Sequence, residues 1–310
     1  MRPLNLLRFV LCLLAGWTTP GFGLQEPPAA SPPASEAQVQ ALARAFELIS
    51  DGKLKQAKEE VDRAAAMGSG PCGECLLGQS HIYAAEKKWQ ESVDAAQQAI
   101  PLLRSPGLLA RAYNQLGLAN VMLNTPDSLV RAEEALRKGA DAGGAWGAMA
   151  RYNLAEFLYR RKNWAEAAEA ADRYLQEAGP EGTALKEARV LLCRARNLQP
   201  DPPDPAVDPE PLRVGGEVKR PEILFQTKPE YTQEARREQV GGTVIMETIV
   251  DDAGCVRNLR VIQGLSHGLT ESAVNAVRQW VFTPATLEGK PVKVYYVLTV
   301  NFSVSPGAGS

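Results

Sequence analysis

Thr243-Val-Ile-Met-Glu-Thr-Ile-Val250, then Asp251-Asp252-Ala253-Gly254, then Val256-Arg-Asn-Leu-Arg-Val-Ile262: this stretch decides the carboxyl-terminal fold. The first run alternates, with Val244, Met246, Thr248 and Val250 on one face and Ile245, Glu247 and Ile249 on the other. That is the two-residue period of a strand buried on one side. Asp251 to Gly254 is turn chemistry, with a glycine available for positive φ, so the second run returns as a hairpin partner. Downstream, Gly268-Leu269-Thr270-Glu271 opens a helix, with Thr270 as the expected N-cap and Ala273, Val274, Val277 and Trp280 on its apolar side. Pro284 is expected to stop it. After a Gly289-Lys290-Pro291 turn, a long terminal strand is expected from Val292 to Phe302. Val292, Val294, Tyr296, Leu298, Val300 and Phe302 share one face, the core side of any small α+β domain; Lys293, Tyr295, Val297, Thr299 and Asn301 share the other.

Two proline-rich breaks bound what lies upstream. Residues 24–35 form a lead-in without periodicity, and residues 200–211, from Pro200-Asp-Pro-Pro-Asp-Pro205 to Pro211, can be neither helix nor central strand. They fence off a block at 36–199 from one at 212–305.

The first block repeats itself. Asp51-Gly-Lys-Leu54-Lys-Gln-Ala57 aligns with Glu86-Lys-Lys-Trp89-Gln-Glu-Ser92 and Arg161-Lys-Asn-Trp164-Ala-Glu-Ala167, and Ala132 takes the corresponding place in a further copy. The spacings between the small residues are 35, 40 and 35. Twelve residues upstream stand Ala45, Ser80 and Ala155, and Gly117 stands fifteen upstream of Ala132, so the Asn124-Thr-Pro126 turn is expected to be longer. Small residues in both places let antiparallel helices cross closely. The pattern resembles tetratricopeptide repeats, whose period is about 34 residues. It predicts four helical hairpins and a closing helix from about Thr183 to Leu198. In that architecture the first helices line a concave face, which places Tyr113, Asn114, Arg151, Asn153 and Glu156 there; Trp89, Trp164 and the alanines are packing residues.

The order of motifs from Lys228 to Phe302, with Pro229-Glu230-Tyr231, Ala235, Gly241-Gly242-Thr243, the hairpin, Gln279-Trp280, Phe282-Thr283-Pro284-Ala285 and the terminal strand, resembles the C-terminal domain of the TonB family. The resemblance implies a two-domain chain: an all-α tetratricopeptide solenoid followed by a small α+β domain, helix-strand-strand-helix-strand with an antiparallel sheet. It implies protein recognition: the last strand is the sheet edge that receives an extended segment, the TonB box, of an outer-membrane TonB-dependent transporter. Lys293, Tyr295, Val297, Thr299 and Asn301 are the implied partner-binding set. Tyr231-Thr232 stands where the family has Tyr-Pro.

The resemblance and the helical block together suggest an envelope adaptor whose repeats recruit a second protein or peptide. Two alternatives remain: a membrane-anchored energy transducer served by an inner-membrane proton-channel complex, or a repeat scaffold whose C-terminal domain forms a homodimer.

The first residues favour export: basic Arg2 and Arg8, an apolar run from Phe9 to Ala15, and small residues in Gly21-Phe22-Gly23 read as a signal peptide over 1–23, with periplasmic delivery. Formal net charge is −2, which gives no footprint for nucleic acid. Export makes disulfides durable. Cys72-Gly-Glu-Cys75 could be a redox motif or half of a zinc site, but no βαβ pattern surrounds it and no second ligand pair occurs, so a small structural disulfide at a helix start is expected; Cys193 lies in a helix pattern and Cys255 in a hairpin turn, so these are expected not to pair. His81 and His267 are the sole histidines, and no hydrolase, zincin, dinucleotide or P-loop pattern occurs, so no catalytic residue, metal or cofactor is expected.

Overall fold

A computed structural model describes residues 35–68, 70–179, 182–199 and 210–303. The signal segment 1–23, residues 24–34 of the lead-in and 200–209 of the linker lie outside the described residues. Two compact units emerge: one runs to Arg160 and includes Arg173–Leu185, and the other joins Arg161–Asp172 to the chain from Lys186 onward. The division falls inside the helical block, ahead of the linker.

The helices are α1 (Glu36–Ser50), α2 (Leu54–Ala66), α3 (Gly73–Ala85), α4 (Trp89–Ala99), α5 (Pro106–Leu123), α6 (Pro126–Asp141), α7 (Gly144–Arg160), α8 (Trp164–Glu177) and α9 (Leu185–Asn197). They realise the expected hairpins and closing helix. Each hairpin turn passes through one left-handed residue: Gly52 (φ 72°), Lys87 (φ 61°), Asn124 (φ 54°) and Lys162 (φ 64°). The repeat thus recurs in backbone conformation as well as in sequence.

Helix crossings explain the small residues. Ala45, Ala57, Ser80, Ser92, Ala132, Ala155 and Ala167 are fully buried, and a Cβ on Gly117 would stand 2.6 Å from Leu136 Cγ. Ser80 and Ser92 cross-brace α3 and α4: the Ser80 hydroxyl donates to the Ser92 carbonyl at 2.7 Å, and the Ser92 hydroxyl to the Ser80 carbonyl at 2.9 Å. Gln115 Nε2 donates to the same two residues from α5, at 3.3 and 3.1 Å. Buried hydroxyls are tolerated because every donor finds an acceptor.

The third hairpin departs from expectation. Its turn is only Asn124–Thr125, and the extra residues extend the helices, α5 being 18 residues long. Thr125 and Ser128 form a reciprocal capping box, and Pro126 sits at the first helical position, so α6 starts without delay.

His81 is packed edge-on to Phe46, with ring centroids 5.5 Å apart, and its Nε2 accepts from Arg111 Nε at 3.3 Å. The Arg111 guanidinium lies 3.6 Å above the Phe46 ring and 4.7 Å from that of Trp146. Burial lowers Arg111 to about 9, so it stays charged at neutral pH. Burial first, and the Arg111 charge second, hold His81 well below the ordinary histidine range.

In the second unit a four-stranded sheet runs β1 (Leu212–Arg213), β8 (Val294–Phe302), β3 (Gly242–Val250), β4 (Val256–Gln263). Short strands β2 (Ile223–Phe225) and β5 (Val281–Phe282) pair with each other, as do β6 (Ala285–Leu287) and β7 (Lys290–Val292). Helices α10 (Gln233–Arg237) and α11 (Leu269–Val277) supply Ala235, Leu269, Ala273 and Val277 to a core shared with Val244, Met246, Val250 and Leu298.

Four local expectations need correction. Gly268 (φ 74°) is the N-cap of α11; the Thr270 hydroxyl instead bonds the backbone of Leu265, accepting from its N–H and donating to its carbonyl, both at 2.7 Å. The helix ends at Val277, well before Pro284, because Val281 and Phe282 are drawn into β5. Trp280 Nε1 donates to the Thr227 carbonyl at 2.9 Å, fixing that descent. The terminal strand begins at Val294, since Lys290–Val292 turn back on β6 across Glu288 (φ 53°) and Gly289 (φ 80°), a tight turn of the type that needs two left-handed residues.

The fourth correction is covalent: Cys193 on α9 is bonded to Cys255 at the start of β4. Sequence period placed one in a helix and the other in a turn; tertiary packing brings them together. Around the bond, Arg189 Nη1 donates to the Ala253 carbonyl and Asn197 Nδ2 to the Arg278 carbonyl. Arg196 Nη1 reaches Asp251 Oδ2 at 3.3 Å, and Arg257 Nε lies 3.5 Å from the same oxygen. The other Asp251 oxygen accepts from the N–H groups of Ala253 (3.0 Å) and Cys255 (2.8 Å), closing the hairpin turn. Gly254 (φ 88°) is required here, because a Cβ would fall on the Phe282 carbonyl oxygen.

Two outcomes are expected. In the fold His81 stays neutral, so the unfolded chain alone takes up a proton once pH drops below about 6.5; stability of the helical unit is intact above that value and declines below it, and His81→Gln should flatten the decline in urea midpoints between pH 7 and 5. Removing the crosslink between residues 62 apart with Cys193→Ser/Cys255→Ser should cost the sheet unit about 2–5 kcal/mol in denaturant unfolding.

Candidate protein-docking site

The last strand owes its sidedness to an unbroken register against β3, from Val294 opposite Val250 to Phe302 opposite Gly242. Val294, Leu298, Val300 and Phe302 are buried on the core side, with Tyr296 half-buried beside Phe282, ring centroids 5.8 Å apart. On the opposite face Val297 is 55% exposed, Thr299 and Asn301 are exposed, and Tyr295 is half-buried. Across β3, Tyr295, Val297, Thr299 and Asn301 stand opposite Ile249, Glu247, Ile245 and Thr243. Glu247 is paired with Arg260 at 2.9 Å, and the Thr243 hydroxyl donates to Asn301 Oδ1 at 2.9 Å.

The strand's outer margin is partly occupied. β1 pairs with it in parallel, Leu212 opposite Val294 and Arg213 opposite Tyr295. The Leu212 N–H donates to the Lys293 carbonyl at 2.8 Å, and the Arg213 guanidinium lies 5.3 Å from the Tyr295 ring centre. Because alternate residues of a strand direct their N–H and C=O the same way, Val297, Thr299 and Asn301 aim theirs along the margin that β1 leaves. Among the described residues no strand pairs with that margin from Tyr296 to Phe302. The implied set therefore divides: Lys293 and Tyr295 are engaged by β1, while Val297, Thr299 and Asn301 flank open backbone. β1 was not foreseen, since a two-residue strand has no period to read.

The residues expected on a concave face are placed differently. Asn114 and Asn153 are buried, and Asn153 Nδ2 donates to Asn114 Oδ1 at 2.8 Å, bracing α5 against α7 instead of facing a groove. Arg151 donates to Glu177 at 2.9 Å and to the Ala140 carbonyl at 3.0 Å. Glu156 accepts from the Tyr152 hydroxyl and lies 3.6 Å from Arg160. Tyr113, like Arg151 and Glu156, is half-buried, with Lys138 Nζ 6.0 Å from its ring centre. A polar residue on a first helix can satisfy a neighbouring helix as readily as a ligand, and sequence spacing does not separate the two.

Cys72 and Cys75 are bonded at the start of α3. His267 is exposed, its Nδ1 2.7 Å from the Ser266 hydroxyl. Among the described residues no group of three or more His, Cys, Asp or Glu could hold a metal ion, and no helix is long and apolar enough to cross a membrane.

Comparison with known proteins places this geometry. Residues 227–304 match the family model described as Gram-negative bacterial TonB protein C-terminal. Protein TonB of Vibrio cholerae serotype O1 (strain ATCC 39315 / El Tor Inaba N16961) is 29% identical over 112 residues, which is 35% of this chain and 45% of that relative. The chain thus spans under half the length of the curated relative it matches. Among solved structures, that of MamA aligns at 18% identity with a TM-score of 0.39, over 52% of this chain and 81% of the other. The Cut9-Hcn1 hetero-tetramer of the APC/C aligns at 16% identity with a TM-score of 0.42, over 52% of this chain and 30% of the other. Over residues 227–304, then, the sheet unit matches the TonB C-terminal family model, and helical hairpins precede that segment.

Proposed function

We propose that this chain is an envelope adaptor that docks a partner by β-strand addition to β8, while its helical hairpins recruit a second protein. The observation that carries the reading is the open margin from Tyr296 to Phe302, flanked by the exposed side chains of Val297, Thr299 and Asn301. An unpaired strand edge offers a row of backbone donors and acceptors, which supply affinity, while alternate side chains select. Here the incoming chain is an extended segment of an outer-membrane transporter of the TonB-dependent kind, as TonB similarity suggests. Delivery to the periplasm through residues 1–23 belongs to the same reading. Docking by strand addition needs no chemical step.

β1 bears on the reading directly. It occupies two positions of the margin, enough to fix where an incoming strand must begin and too few to replace it.

The test uses Thr299→Pro. Thr299 aims its N–H at the open margin and its side chain away from the core, so proline removes one docking donor and leaves the β3 ladder whole. With a photo-crosslinker at Val297 in cells, the wild-type background should yield a crosslinked partner band and Thr299→Pro should reduce it about tenfold, the loss expected for roughly one or two backbone bonds. A folded Thr299→Pro protein that captures partner as well as wild type would sink strand addition. A crosslinked band at twice the chain's own mass would assign the margin to a homodimer instead.

A further inference from the structure

The two disulfides are presented differently. Cys193 and Cys255 are both fully buried, leaving no sulfur for an attacking thiol. Cys75 is buried at 3%, but Cys72 is half-exposed at the N-cap of α3, a helix of 13 residues. Closing residues only three apart restrains far less unfolded chain than closing 62, so the Cys72–Cys75 bond has little to offer as a staple.

Its surroundings suit a different task. Cys72 Sγ accepts from the Cys75 N–H at 3.1 Å. Gln38 Nε2, on α1, stands 3.6 Å from the same sulfur. Gln38 is itself buried, and its amide is held in place by donating to the Ala64 carbonyl at 3.0 Å. Two donors and the positive end of α3 therefore converge on the sulfur of half-exposed Cys72, an arrangement that favours its thiolate. Glu74, in the first turn, opposes them in part. Gly73, between the cysteines, is pressed onto Leu102, where a Cβ would lie 2.9 Å from Leu102 Cβ, so the close approach there admits only glycine.

We propose that Cys72–Cys75 is a thiol–disulfide exchange site, with Cys72 the attacked and attacking sulfur, Cys75 the resolving one, and a protein dithiol as its substrate class. A partner thiolate attacks Cys72 Sγ; a partner–Cys72 bond forms, the Cys72–Cys75 bond breaks, and Cys75 leaves as a thiolate that takes a proton from water. The partner's second thiolate then attacks its own sulfur in the mixed disulfide, closing the partner disulfide and releasing Cys72 as a thiolate held by the Cys75 N–H and Gln38. Two electrons pass from the partner dithiol to the Cys72–Cys75 pair, and the reverse sequence reduces a partner disulfide. Gln38 is a positioning residue: it stabilises the leaving thiolate without touching the substrate.

The test uses the full chain. In Cys75→Ser, Cys72 should form a mixed disulfide with oxidised glutathione, located by peptide mass mapping. It should also react with iodoacetamide at pH 7 about tenfold faster than in the urea-unfolded chain, as a stabilised thiolate requires. Adding Gln38→Ala should bring that rate back toward the unfolded value while the circular dichroism melt stays cooperative. Absence of the mixed disulfide, or equal alkylation rates folded and unfolded, would overturn the proposal. Should Cys75→Ser fail to fold, the wild-type chain decides: titrated with reduced and oxidised glutathione, Cys72–Cys75 should exchange while Cys193–Cys255 stays closed. Equal resistance of both bonds in the native chain would count against exchange.

Discussion

The register of β8 against β3 is the constraint on which the carboxyl-terminal unit depends. Nine residue pairs run from Val294–Val250 to Phe302–Gly242 without a bulge. A slip of one residue would expel Val294, Leu298, Val300 and Phe302 from the core and bury Thr299 and Asn301 in their place. Because the core forbids that slip, it also decides which backbone groups face outward. The open margin is therefore as well determined as the core, although Val297, Thr299 and Asn301, whose backbone groups line it, have exposed side chains.

The opposite end of the same hairpin is held by charge and by a covalent bond. Asp251 spends one carboxylate oxygen on the turn N–H groups and the other on Arg196 and Arg257. Arg189, Cys193, Arg196 and Asn197 follow one another at helical spacing along α9, so one helix face meets the sheet unit. The family match begins at residue 227, yet α9 and β1 both precede it and both engage the domain. The unit is larger than the family segment. Its added helix restrains the β3–β4 turn, and its added strand shortens the open margin of β8.

In the helical unit, close crossing sets the chemistry. Backbones approach only where Ala, Ser or Gly stands, and once two serines occupy a crossing their hydroxyls must be satisfied internally, which Ser80, Ser92 and Gln115 achieve together. The same economy applies to Asn114 with Asn153, and to Arg111 among aromatic rings beside a neutral His81. Polar residues that look available in a sequence are here used to specify how neighbouring helices meet.

Periodicity alone was enough for the helical hairpins, the β3–β4 hairpin and the two faces of β8, because alternation and small-residue spacing are local signals that packing then respects. The left-handed turn residues Gly52, Lys87 and Lys162 share one motif position, a regularity that appears only in the backbone. What periodicity could not carry was anything set by residues distant in the chain. Cys193 with Cys255, Asn114 with Asn153, and Leu212 with Lys293 are separated by 62, 39 and 81 residues, and each is decided by where whole elements come to rest. Thus the terminal strand and its two faces were written in the sequence, while the length of its free margin, shortened at one end by β1, was decided by the tertiary structure, since a strand's free margin is whatever its neighbours leave uncovered.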